Sequence, residues 1–446
     1  MRVAGHGVRG PARIGVMTRR ALRQGDRVAL LLPGSTAYVA LVTALLRRGV
    51  FPVPMDVGLT ASERADLLEE LDPALVVTEQ PHLEELLAAY PDDPDLGPPR
   101  GRPIHLTSGT TGRPKGVWSG LLTRDQSDAL VAEERELWGF RADDVNLVLS
   151  PLHHSAPLRF AMGTHLAGGS VLVPGPFDPA RVTAAIAEAD EGRRPTTMFC
   201  VPAHLQRLFA HWDEVGAPDL ASFRLVAHAG APCPEWLKRR LVETFPPGST
   251  WEFYGSTEGQ FTACRSEEWL ERPGTLGRAR PGRTMQVDEQ GQLWCVVPEH
   301  ARFSYLGEPA KTRAAWRSTP DGPAFTVGDL GRIDDDGHVR LDGRRDDLVI
   351  SGGVNVYPAE VERVLGELDG VTEVAVYGVD DDHWGQRVCA VVVGDVTDDV
   401  LEAHAREHLA PAKRPKEYRR LPALPRTPTG KVRRLDLPGL VAGAQG

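Results

Sequence analysis

The sequence predicts an α/β protein: a large N-terminal domain of stacked α/β subdomains with a β-rich subdomain after them, and a small α+β domain at the C-terminal end. Three observations carry this. Apolar runs alternate with helical patterns through the first half of the chain. After about Gly282 the pattern changes to period-two runs among Gly and Asp turns, and after about Gly343 helix and strand patterns mix over a short span. Strands that alternate with helices assemble parallel sheets, whereas period-two runs closed by turns assemble antiparallel ones. A chain of 446 residues has room for about three units of ordinary domain length, which excludes a mini-protein or one small binding module.

In chain order, the apolar run Arg27 to Leu32 follows the turn-like Gln24-Gly25-Asp26, a helix pattern opens at Ser35 and stops before Gly49, and Val50 to Val53 begins another extended run. The charged helical stretch Ser62 to Glu70 leads to extended Asp72 to Thr78. Pro91 to Pro103, rich in Pro, Asp and Gly, is expected to form an exposed connection. Val145 to Leu149, Ser170 to Val173, Thr197 to Val201 and Leu225 to Ala227 are strand candidates separated by helical patterns. Gln292 to Val297 and Gly337 to Leu341 carry the antiparallel signature. The last part predicts a Pro358 to Leu368 helix, strands at Val371 to Val379 and Val388 to Val393, and an Asp398 to His408 helix.

Composition narrows the function classes. The 51 Lys and Arg stand against 61 Asp and Glu, a formal net charge of -10, so no global basic field draws nucleic acid or an anionic membrane. The 41% hydrophobic and 25% charged fractions are those of a globular chain with substantial cores. Cys200, Cys233, Cys264, Cys295 and Cys389 are scattered, with no CxxC pair, as reduced thiols would be. Ala37 to Leu46 is about half the length that crosses a bilayer and is closed by Arg47 and Arg48, so a buried helix is expected. No secretory h-region is visible near the start, and the cytoplasm is the expected compartment.

Two patterns fail on context. Gly5 to Gly10 matches GxGxxG, but no strand precedes it and Pro11 follows. His404 to His408 matches HxxEH, yet no third ligand is indicated and a solvated amphipathic helix explains it equally well.

The informative stretch is Leu106-Thr107-Ser108-Gly109-Thr110-Thr111-Gly112-Arg113-Pro114-Lys115-Gly116. Glycines let backbone N–H groups approach phosphate oxygens, hydroxyls donate further bonds, and an ammonium supplies a point charge. A Walker loop would need Gly-Lys-Ser/Thr in a row, and here Pro114 precedes Lys115 and Gly116 follows it. Tyr254 offers a ring face for a base, Thr257 a hydroxyl for a phosphate, and Glu258 a hard oxygen ligand for Mg²⁺. Asp329 can accept from two ribose hydroxyls, and Arg344 can donate to ribose or phosphate.

On these residues the chain resembles the adenylate-forming (ANL) superfamily of acyl- and aryl-CoA synthetases, nonribosomal adenylation domains and luciferases. The likeness recurs in order at Tyr254-Gly255-Ser256-Thr257-Glu258, Gly328-Asp329, Gly343 to Asp347, Ser351-Gly352-Gly353 and Pro425 to Lys431. It covers about Gly25 to Arg434, and Ile350 to Glu362 is most similar to bile-acid, aryl and fatty acyl-CoA ligases. The resemblance implies an adenylation domain over 1–345 and a mobile C-terminal domain over 346–446, hinged at Asp346. It implies that Gly230-Ala231-Pro232 packs on adenine, that Lys431 reaches the α-phosphate and the attacking carboxylate, and that His154 gates the acid pocket, with His153 beside it leaving that assignment ambiguous. Gly352 and Gly353 would let a pantetheine arm pass closely.

ATP, Mg²⁺, CoA and a small-molecule acid are the implied ligands, with no nucleic-acid partner and no membrane span. Against the family pattern the N-terminus looks about forty residues short, so that a subdomain is trimmed or a partner, such as a second copy, covers the edge. Trp118, Trp251 and Phe253 are bulkier than expected beside the motifs, which would shrink the pocket. The leading expectation is AMP-forming acid–CoA ligation. A diazotase that activates nitrite for an aryl amine, and an inactive nucleotide sensor, are the alternatives.

Overall fold

The structure, a computed structural model, describes residues 21–107, 115–344, 347–351, 354–381, 384–426 and 432–443. The chain divides into two compact units, Met1–Gly175 with His300–Pro309, and Pro176–Glu299 with Ala310–Gly446. The boundary expected at 345/346 falls inside the second of these.

The first unit opens with β1 (Arg27–Leu30), α1 (Thr36–Arg47), β2 (Phe51–Pro54), α2 (Ala61–Leu71), β3 (Leu75–Val77) and α3 (Gln80–Ala89). The strands are parallel in the order β2-β1-β3, as alternation with helices requires. Ser35 caps α1, its hydroxyl accepting from the Tyr38 N–H, and Thr60 with Glu63 forms a capping box on α2. Val39, Leu41, Val42, Leu45 and Leu46 bury α1 against the sheet. Truncating Leu45 to Ala there would cost about 3 kcal/mol.

The antiparallel pair β4 (His105–Thr107) and β5 (Lys115–Trp118) follows, with Ser304–Tyr305 on the other edge of β5. Then come α4 (Arg124–Trp138), β6 (Val145–Val148), α5 (Ser155–Leu166) and β7 (Ser170–Leu172), β6 and β7 being parallel.

One expectation needs correction. The segment 91–103 is half-buried, with Gly97, Pro99, Gly101 and Pro103 fully so. The Arg47 guanidinium holds Asp92 at 2.7 Å and also donates to the Gly97 carbonyl, while Arg100 N–H donates to Leu46 O at 2.9 Å. A turn-rich composition marks a connection but does not say what it lies on.

In the second unit α6 (Pro179–Ala187), β8 (Thr197–Cys200), α7 (Pro202–Val215), β9 (Leu225–His228), α8 (Glu235–Thr244), β10 (Thr250–Gly255) and β11 (Gln260–Arg265) continue the alternation. Strands β8, β9 and β10 are parallel and β11 is antiparallel to β10. An antiparallel sheet of Thr284–Val287, Leu293–Val296, Gly322–Phe325 and Trp316–Thr319 and a hairpin of Asp329–Ile333 with Val339–Arg344 bear out the β-rich expectation.

At the C-terminal end Val371–Asp381 and Gly385–Gly394 pair over their length, extending both predicted strands. Period two places Val376, Val388, Ala390 and Val392 against the helices Pro358–Leu365 and Asp398–His408, while Ala375, Tyr377, Cys389 and Val391 pack on Leu424, Leu437 and Val441. The helical expectation at 398–408 holds. His404 Nε2 lies 2.9 Å from Val364 O, and no metal-holding group of three His, Cys, Asp or Glu occurs among the described residues.

Candidate active site

Backbone geometry at the end of β10 sets the first group of predicted residues. The register of β10 against β11 shifts between Tyr254 and Gly255, and Ser256 N–H donates to Gly259 O at 2.8 Å, closing a tight turn. A Cβ on Gly255 would lie 2.9 Å from both Gln260 Cα and Gly259 O, so only glycine fits. The turn presents Thr257 half-buried and Glu258 at 7% exposure. A Mg²⁺ bound through phosphates needs only one or two protein carboxylates, and Glu258 alone meets that need.

Tyr254 is held from two sides. Its hydroxyl donates to Asp329 Oδ2 at 2.5 Å, and its ring centroid lies 4.7 Å from that of Phe261, which in turn lies 5.2 Å from Phe325. Asp329 is buried and opens its strand after Gly328, whose φ of 82° is left-handed and whose N–H reaches Thr326 Oγ1 at 3.1 Å. Arg344 stands directly opposite Asp329 in the ladder. Folding therefore brings together Tyr254, Asp329 and the backbone of Arg344, which the sequence keeps far apart.

Gly230-Ala231-Pro232 begins one residue after β9 ends at His228, and Gly230 has a φ of 92° that a side chain would strain. In the same sheet the buried thiols of Cys200 and Cys264 are unreactive, burial pushing both up to about 12. Trp251, on β10, carries the Arg265 guanidinium 4.6 Å from its ring, and Phe253 packs 5.7 Å from Phe199.

In the first unit Thr107 and Lys115 are a cross-strand pair, Thr107 Oγ1 donating to Lys115 O at 3.4 Å. Lys115 is 8% exposed and its Nζ donates to Glu308 Oε1. That partner was not foreseen, since nothing in sequence links positions so far apart. Trp118 packs edge-on against Phe51, 5.9 Å between ring centroids.

His154 is the N-cap residue of α5, its ring 4.0 Å from that of His153. His105 Nδ1 donates to His153 O at 3.1 Å, and burial lowers His105 to about 4. Burial also lowers His153, opposed by Asp56 at 3.9 Å. Ser108, Gly109, Thr110, Thr111, Gly112, Gly352, Gly353 and Lys431 lie outside the described residues. Their flanks are paired: Ser351 with Val354, and Arg426 with Val432.

Such a site, a ring and a ribose-competent acid beside a metal-competent carboxylate on an α/β scaffold, is that of a nucleotide-dependent enzyme. The chain belongs to the AMP-binding enzyme family, which it matches over residues 15–99 and 103–299, with the family's C-terminal domain at 360–431. It is 31% identical to a long-chain-fatty-acid–CoA ligase of Mycobacterium tuberculosis, over 94% of this chain and 88% of that one. It is 33% identical to a feruloyl-CoA synthase of Amycolatopsis, over 92% and 88%.

Among solved structures, o-succinylbenzoate-CoA synthetase from Bacillus subtilis, in complex with its acyl-adenylate intermediate, superposes with a TM-score of 0.77 at 26% identity, covering 93% of this chain and 88% of that one. ATP-bound MatB from Rhodopseudomonas palustris gives 0.76 at 29%, covering 95% and 90%. The family resemblance is thereby borne out, as is the fold class. No helix among the described residues is long and apolar enough to cross a membrane.

Proposed function

We propose that this protein is an AMP-forming ligase that activates an organic carboxylic acid as its adenylate and transfers the acyl group to CoA. The observation that carries the reading is the Tyr254–Asp329 bond beside the Glu258 turn, in a chain whose curated relatives are named as CoA ligases. Neither the diazotase nor the sensor expectation finds support among them.

A carboxylate resists thiol attack because its leaving group would be oxide. Attack of a carboxylate oxygen on the ATP α-phosphorus breaks the α–β phosphoanhydride, releases pyrophosphate and leaves a mixed anhydride. The CoA thiolate then attacks the acyl carbon and AMP departs. In this scheme Tyr254 stacks on adenine with Gly230-Ala231-Pro232, and Asp329 accepts from ribose, with Arg344 beside it. Thr107 to Gly112 and Lys115 bind phosphates, and Gly255 and Ser256 shape the turn that offers Thr257 to the α-phosphate. Mg²⁺ neutralises phosphate charge when bound, and Glu258 is the residue that holds it.

Lys431 stabilises charge that develops at the α-phosphate, so Lys431→Ala slows adenylation at least about a hundredfold while ATP affinity barely changes. His154 borders the acid. The region 346–446 moves about Asp346 between steps, presenting Lys431 for adenylation and Gly352-Gly353 for thioester formation.

Pyrophosphate release with a panel of carboxylic acids, with and without CoA, tests the reading. AMP is the expected nucleotide product. ADP would overturn it, because attack at the α-phosphate cannot yield γ-phosphoryl transfer. Pairing with a second copy is part of the reading, and light scattering that finds only a monomer would remove it; the five free cysteines accord with a reducing compartment such as the cytoplasm.

A further inference from the structure

Four buried side chains line up across the second unit's main sheet. Cys200 is opposite His228, His228 opposite Glu252, and Glu252 opposite Cys264, so β8, β9, β10 and β11 each contribute one to the same level of the sheet. Helix α8 lays Lys238 against this row. The lysine is 0% exposed, its Nζ 2.7 Å from His228 Nε2 and 3.4 Å from Glu252 Oε2, and the Trp269 ring centroid is 6.0 Å away.

The protonation pattern follows from the donors. An ammonium can only donate, so His228 Nε2 accepts and its proton sits on Nδ1. That Nδ1 meets no hydrogen-bond partner among the described residues. Burial and the adjacent ammonium both drive His228 well below the usual histidine value, so the ring stays neutral. Burial raises Glu252, and Lys238 opposes that rise.

A buried ion pair is poor value as a stabiliser, because apolar residues of the same volume often serve as well or better. Its placement points to another use. His228 is the last residue of β9, so Lys238 closes the segment 229–237, which carries Gly230-Ala231-Pro232, at both ends. Glu252 precedes Tyr254 by two residues on β10, the strand that runs on into the Glu258 turn. One ammonium therefore ties the end of β9, from which the Gly230-Ala231-Pro232 loop leaves, to the middle of β10, two residues before Tyr254.

We propose that Lys238 is a positioning residue for nucleotide binding, setting the spacing between the Gly230-Ala231-Pro232 loop and Tyr254 through His228 and Glu252. It touches no substrate, and the inference rests on the AMP-forming reading above.

The test compares wild type, Lys238→Met and the double variant Lys238→Met with Glu252→Gln. Three quantities are read: AMP affinity by calorimetry, KM for ATP with kcat in AMP-forming turnover, and Tm. The single variant leaves Glu252 buried without its counter-charge, and its Tm falls. The double variant removes both charges at nearly constant volume and recovers Tm. Its AMP Kd and its KM for ATP nevertheless stay raised about tenfold, with kcat changed less, because the loop and Tyr254 are no longer held in register. Recovery of Tm and nucleotide affinity together would overturn the proposal and make Lys238 a stabilising residue only. Wild-type AMP affinity in Lys238→Met would overturn it as well. Should the single variant fail to fold, the double variant decides. Wild-type protein that binds no AMP would overturn the functional reading and this inference with it, an outcome distinct from unaltered binding in the variants.

Discussion

In the hairpin of β10 and β11, ring and acid are tied down by the protein's own groups: Tyr254 is bonded to Asp329 and packed on Phe261, and Glu258 is buried in a turn that only Gly255 permits. In the hairpin of β4 and β5 the key group is a lysine whose charge is already matched, Lys115 donating to Glu308. On the proposed function the first arrangement would lower the cost of binding a ligand, because the groups that meet it are already held by the protein. On the same reading the second would make binding an exchange, in which a polyphosphate competes with a carboxylate that is one-third exposed. Base and ribose recognition would thus be rigid, and phosphate recognition ionic and sensitive to salt.

The largest effect that would break the comparison is expected at Glu258. Glu258→Gln keeps size but removes the charge, and AMP formation should fall about a hundredfold, recovering in part at high magnesium. Titrating Mg²⁺ against rate checks this; wild-type magnesium dependence would make Glu258 a residue of the turn alone.

Next comes Tyr254→Phe, which deletes a hydrogen bond to a buried carboxylate. KM for ATP should rise about tenfold, as expected for a bond to a charged group. An unchanged KM would show that stacking alone does the holding.

A smaller change of opposite sign is expected for Glu308→Gln. With Lys115 relieved of its carboxylate, KM for ATP should fall about threefold, in line with a partly exposed ion pair, and salt should weaken binding more steeply. Steady-state kinetics at two ionic strengths read both.

The smallest effect on activity concerns one histidine in each unit, the buried His105 and the half-buried His204. His105 and His204 are lowered by burial from 6.5 to about 4, and Arg207 adds to the lowering of His204. Both stay neutral in the fold while the unfolded chain takes up protons, so stability is full above about 6.5 and is lost as pH falls toward about 4. His204→Phe, which keeps a ring against Phe177, should remove part of that slope, on the order of 1 kcal/mol at pH 5. Urea melts at pH 8 and pH 5 measure it, and equal slopes would show that His204 does not contribute.

Much of the candidate site could be read from residues that stand together in the chain. Thr107 to Gly116 and Tyr254 to Glu258 are contiguous, and a phosphate-binding loop or a ligand-bearing turn is a local object whose chemistry is written in adjacent side chains. Partners escaped where separation is long. Glu308 lies 193 positions from Lys115. Lys238 did leave a trace, since it stands on the apolar stripe of α8, three residues before Leu241 and one after Leu237. A lysine on such a stripe is normally accommodated by snorkelling its head to water, and only burial shows that this one does not.

The order of strands and helices, the nucleotide chemistry and the membership in an adenylate-forming family were settled by the amino-acid string, because periodicity, turn residues and short motifs act over a few neighbours. Tertiary structure alone decided that Tyr254 meets Asp329, that Lys115 is paired with Glu308, that segment 91–103 is half-buried, and that one ammonium bridges two neighbouring strands. These depend on which distant residues share a place without water. There the strength of a charge is set by desolvation and by its neighbours, and neither is written along the chain.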